Sequence, residues 1–94
     1  MEVDTPKGKL RLRKPNVLEI YDYLEAVGSL REDDPIRLQG LMIKAIRPYI
    51  DESGMEEKIG FDAMIENPDD YFKPLVKLSD ELYYSVIGVL SKKA

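Results

Sequence analysis

Cysteine, histidine and tryptophan are all missing from this chain of 94 residues. The first absence excludes disulfides and thiol chemistry, and it fits an intracellular setting. The second removes the imidazole base and a principal zinc ligand. With neither residue present, the usual nucleophile–base pairs and zinc constellations cannot be built within this chain. No apolar run approaches the roughly 18 residues of a membrane span, and the acidic N-terminus is unlike a signal peptide. A net basic charge is missing too. The formal net charge is −4 and the sequence pI is near 4.8, which opposes phosphate-driven nucleic-acid binding. The expectation is a soluble, cytosolic protein of 10.8 kDa, one domain by length, with no membrane partner, no cofactor and no metal.

Acids are plentiful, but they do not form a catalyst. Asp33-Asp34, Asp51-Glu52, Glu56-Glu57 and Asp69-Asp70 are adjacent pairs, yet with 18 acids in the chain adjacency carries almost no information. Asp51 to Asp62 has the length of a calcium loop. Its sixth position needs glycine and holds Glu56, and its fifth needs an oxygen ligand and holds Met55. No phosphate-binding lysine loop or dinucleotide fingerprint is present. The chain reads as a non-enzyme.

The charge is uneven. All five arginines lie in residues 1–47, which balance to +1, whereas residues 48–94 carry −5. Such asymmetry favours an acidic partner surface at one end.

Periodicity supplies the fold. Glu2-Val3-Asp4-Thr5 and Lys9-Leu10-Arg11-Leu12-Arg13 alternate with the period of half-buried strands. Pro6-Lys7-Gly8 supplies turn chemistry between them, predicting a β-hairpin over residues 1–13. A four-residue loop, Pro6 to Lys9, sets Asp4 opposite Arg11 and Glu2 opposite Arg13, leaving Val3, Leu10 and Leu12 on the other face. Lys14-Pro15 ends the pairing. Asn16 and Glu19 then form a capping-box signature for a helix over 17–27, closed by Gly28, with Val17, Ile20, Tyr21, Leu24 and Val27 as its apolar stripe.

Asp34-Pro35 opens a second helix, 35–48, whose apolar residues cover well over half the wheel; it is central to the core, or another subunit covers its second face. Residues 51–70 are irregular with a short helix near 61–66, and are the expected mobile segment. A last helix, 73–92, begins with Pro74 in its first turn. Leu75, Leu78, Leu82, Val86 and Val89 form one apolar line, with Val76, Tyr83, Ile87 and Leu90 beside it. The fold class is therefore α+β, mainly α: an N-terminal β-hairpin, three main helices and a short irregular or helical segment.

Candidate partner-binding residues are Arg11, Arg13, Arg37, Lys44 and Arg47 among the cations, with Tyr84 and Gly88, an aromatic beside a notch at i and i+4 on the polar side of the last helix. The plainer account pairs the hairpin cations with Glu2 and Asp4 and leaves the others solvated. Excess apolar surface agrees with self-association into a homo-oligomer or with client binding.

The run Gly8-Lys-Leu-Arg-Leu-Arg-Lys-Pro-Asn-Val-Leu-Glu, through Leu10, Leu12, Arg13, Lys14, Pro15 and Glu19, resembles the beginning of tail assembly chaperones of long-tailed bacteriophages. The resemblance covers about the first third of the chain. It implies a non-enzymatic role in tail morphogenesis in the host cytoplasm, with the tape measure protein and the major tail protein as partners. Many members of that family also have a longer frameshifted product, for which Lys92-Lys93 would mark the slippery site. The alternative is a small cytosolic regulatory or adaptor domain that binds another protein or, less favoured, DNA.

Overall fold

The computed structural model describes residues 1–28 and 34–91. Lys92 and Lys93 lie outside the described residues, as does the expected end of the last helix. Strands β1 (Glu2–Thr5) and β2 (Gly8–Leu12) form the hairpin, followed by helices α1 (Val17–Gly28) and α2 (Pro35–Ala45). A 3-10 turn, Arg47–Tyr49, leads into strand β3 (Ile50–Asp51), and helices α3 (Phe61–Ile65) and α4 (Pro68–Ser91) complete the order. The class is α+β, mainly α.

The hairpin turn is tighter than its sequence predicts. Thr5 pairs with Gly8, Asp4 with Lys9, Val3 with Leu10 and Glu2 with Arg11, so only Pro6 and Lys7 lie between the strands. Proline fixes a negative φ at the first turn position, and the positive φ falls instead on Gly8, at +122°. The register differs from the expected one by two residues. Because side chains alternate with period two, that shift keeps every residue on its predicted face. Val3, Leu10 and Leu12 are buried, and the cross-strand charge pairs become Glu2–Arg11 and Asp4–Lys9.

The sheet has three strands in the order β1-β2-β3, all antiparallel. At two residues, β3 is too short to show alternation. Beyond it, Lys9 N–H donates to the Gly54 carbonyl (3.0 Å) and Glu56 N–H to the Lys7 carbonyl (2.8 Å). The Glu52 carboxylate accepts from the Ile59 and Gly60 N–H groups at 2.8 and 3.0 Å. The segment expected to be mobile is thus tied to the hairpin by backbone bonds, which leave no apolar period in the sequence.

One buried cluster joins the sheet to α4, with Val3, Leu10 and Leu12 on one side and Tyr71, Leu75, Leu78, Leu82 and Val86 on the other. Helix α4 starts earlier than Pro74 predicts. Asn67 precedes Pro68, its carbonyl accepts from Tyr71 N–H at 3.1 Å, and Asp69 and Asp70 occupy the first turn, where the helix dipole favours negative charge. Burial of Tyr71 rewards the extra turn, so Pro74 lies inside the helix. Val89, expected in the buried line, is 43% exposed.

Two further expectations change. In α1 the inward residues are Ile20, Tyr23, Leu24 and Val27, while Val17 and Tyr21 are exposed. Tyr23 drives this rotation: it is 1% exposed and meets Tyr49 edge-on, ring centroids 6.5 Å apart. Helix α2 stops at Ala45 because Pro48 has no N–H for the Lys44 carbonyl. It contains no buried residue, so it is not central to the core.

Candidate protein-binding surface

The strand-to-helix step that carries the family resemblance is a closed polar junction. Arg13 donates two parallel hydrogen bonds of 2.7 Å to the Glu19 carboxylate and a third, 3.1 Å, to the Pro48 carbonyl. Glu19 also accepts from Asn16 N–H at 3.0 Å, while the Asn16 side chain accepts from Glu19 N–H at 2.9 Å, which completes the predicted capping box. The Arg13 guanidinium and the Asn16 amide hold the Glu19 carboxyl down at about 2. Tyr49 lies under the guanidinium, 5.4 Å from ring centroid to carbon, and donates its hydroxyl to the Glu19 carbonyl (3.1 Å). The exit of β2, the start of α1 and the turn before β3 are therefore clamped by one arginine.

The same geometry removes several cations from the binding candidates. Arg11 bonds Glu2 at 2.9 Å, Arg13 is committed to Glu19, and Arg47 pairs with Asp62 while lying over the Phe61 ring. Arg37 is exposed on α2 and also has an interaction partner. Lys44 differs because it sits at the rim of an apolar cleft.

That cleft, about 250 Å³, is lined by Gly40, Ile43 and Lys44 of α2, Met64 and Ile65 of α3, and Pro68, Phe72 and Leu75 of α4. Met64 and Leu75 form its buried floor, whereas Ile65 and Phe72 stand exposed at its mouth, at 46% and 58%. Gly40 lies on its wall, with open space where a β-carbon would stand. A second, shallower groove of about 800 Å³ runs along the outer face of α4 from Phe72 to Tyr84, with Met1 at one side. Tyr84 is 71% exposed and packs edge-on against Tyr83, centroids 5.6 Å apart. Gly88, one turn further, has open space around it and bounds no groove. The structure thus brings Lys44 to one hollow and Tyr84 to another, and leaves Arg11, Arg13, Arg47 and Gly88 outside both.

Phe72, which lines both hollows, is absent from the sequence-level candidates. Helix α4 was expected to begin after it; once the start moves to Pro68, Phe72, Val76 and Tyr84 fall on one i, i+4 row. Comparison with protein-family models, curated proteins and solved structures gives no match for this chain. Among the described residues no acidic cluster could hold a metal ion, and no helix is long and apolar enough to cross a membrane.

Proposed function

We propose that this chain is a non-enzymatic, protein-binding chaperone that shelters an apolar helical client. By its resemblance to tail assembly chaperones, the client is the tape measure protein of a long-tailed phage, with recruitment of tail-tube subunits as the accompanying step. The observation that carries the reading is the apolar cleft between α2, α3 and α4. Its mouth residues Ile65 and Phe72 are exposed, and it adjoins a helix that buries none of its own residues. A hollow of this kind takes the anchor side chains of an amphipathic helix. Lys44 at its rim favours a client with a carboxylate beside the anchor. The ion pairs of Arg11, Arg13 and Arg47 weaken the DNA alternative. The adaptor alternative uses the same cleft and differs in the identity of the client.

Co-expression with a candidate tape measure protein tests this. The soluble fraction of that protein should rise several-fold with the native chain and fall back with Ile65→Glu, a change at an exposed position that leaves the core intact. Unchanged client solubility, or full activity of the variant, would count against the proposal. Capture of a cytosolic host protein through the same cleft would favour the adaptor reading.

A further inference from the structure

Helix α1 turns a second apolar surface away from its own core. Ile20, Tyr23, Leu24 and Val27 face inward, whereas Leu18 is 75% exposed and Tyr21 57% on the other side of the helix. Leu18, Tyr21, Asp22 and Glu25 stand at i, i+3, i+4 and i+7, the spacing by which a helix lays one face into a groove. The first two are anchors and the last two are carboxylates. Neither Asp22 nor Glu25 makes an ion pair among the described residues.

The cleft between α2, α3 and α4 has the complementary features. Its volume of about 250 Å³ exceeds the ~150 Å³ that accepts a benzene ring, so a leucine side chain enters with room to spare. Phe72 at the mouth offers Tyr21 an edge-on contact that leaves the phenol hydroxyl in water. Lys44 at the rim makes no ion pair among the described residues, and α2 supplies no carboxylate of its own between Pro35 and Ala45.

Helix α1 thus presents the kind of face that this cleft takes. It cannot offer it to the cleft of its own chain, because its inner residues are fixed on the core and the outer face points away. Since the two surfaces differ, neither has to be self-complementary, and the contact between copies is head-to-tail.

We propose that the outer face of α1 of one copy docks in the α2–α3–α4 cleft of another. Leu18 lies on the Met64 and Leu75 floor, Tyr21 against Phe72, and Asp22 and Glu25 toward Lys44. The inference takes its site from the functional reading but does not depend on the client. A client helix and a second copy exclude each other from the cleft.

Light scattering should give the 10.8 kDa monomer in dilute solution and a mass that climbs past twice that value with concentration. A head-to-tail contact leaves every assembly with one free α1 face and one free cleft, so growth does not stop at two. Leu18→Glu and Ile65→Glu, both at exposed positions, should each stay monomeric with unchanged far-ultraviolet circular dichroism. Mixed in equal amounts they should form a dimer and grow no further, because the first keeps its cleft and the second its α1 face. Lys44→Glu should weaken association several-fold, and adding Asp22→Lys and Glu25→Lys to the same chain should restore it. A native chain that stays monomeric at millimolar concentration, single variants that associate as the native chain does, or a mixture that stays monomeric would each overturn the proposal. So would a triple charge variant no better than Lys44→Glu. A monomeric chain that still raises client solubility keeps the functional reading and loses this one; association without effect on a client does the reverse.

Discussion

Glu19 accepts three hydrogen bonds, two from Arg13 and one from the Asn16 amide, and this has a pH signature. Its carboxyl falls from the ordinary 4.5 to about 2 in the folded chain. A depressed acid contributes stability that is fully present above its unfolded value and is lost as pH drops through the folded one. Glu19→Gln, which keeps the side-chain length, should therefore be less stable than the native chain at pH 7. The gap should narrow from about pH 4.5 and close near pH 2; urea denaturation across that range reads it directly. Tyr23 is the opposite case. Its hydroxyl is buried, no group among the described residues bonds to it, and burial pushes its ionisation up to about 12. An unpaired buried hydroxyl costs about 1–3 kcal/mol, so Tyr23→Phe should keep or raise the melting temperature while retaining the edge-on packing against Tyr49. Both positions show how far sequence reaches. The Asn16–Glu19 box is local and legible at three-residue spacing. Tyr23 is hidden because a helical wheel ranks apolar residues and cannot tell which side of a helix meets a neighbouring ring.

The β-hairpin illustrates a different limit. Alternation assigns faces correctly but leaves registers that differ by two equivalent, so only turn geometry decides between them. Here Gly8 decides it, and its place is tightly constrained: a β-carbon there would lie 2.6 Å from the Gly54 carbonyl oxygen, on a backbone with φ +122°. Gly8→Ala should thus cost more than the ordinary ~1 kcal/mol of a glycine change, since the loop at Gly54–Glu56 must also move. Gly88 provides the contrast. It lies in the last turn of α4 with nothing within 4 Å of its would-be β-carbon, so Gly88→Ala should stabilise by up to roughly 0.5–1 kcal/mol. Thermal melts of the two variants should shift in opposite directions. Helix α4 itself was legible along the line Leu75, Leu78, Leu82 and Val86. Its first turn was not, because Asn67-Pro68 and Pro74 are both valid helix starts and only the burial of Tyr71 chooses between them.

The described chain spreads over 41 × 28 × 16 Å, two layers thick. It exposes 6436 Å², against the roughly 5,500 Å² expected for a monomer of its mass. The wide apolar arc of the second helix was legible in the sequence. The location of the hollows was not, because Met64, Ile65 and Phe72 converge only through the chain path of residues 51–70. The core also depends on late sequence: the faces of Val3, Leu10 and Leu12 are covered by α4. A fragment of residues 1–67 should accordingly lack a cooperative thermal transition, whereas residues 1–94 should show one.

Strand β2 gains its second neighbour from residues 50–51. While the polypeptide leaves the ribosome, that flank of the hairpin stays bare until almost forty more amino acids have been added. Lys9 and Arg11 are already paired with Asp4 and Glu2 inside the hairpin, so what that flank offers in the interval is its unpaired backbone N–H and C=O groups, the part of a sheet most open to a foreign strand.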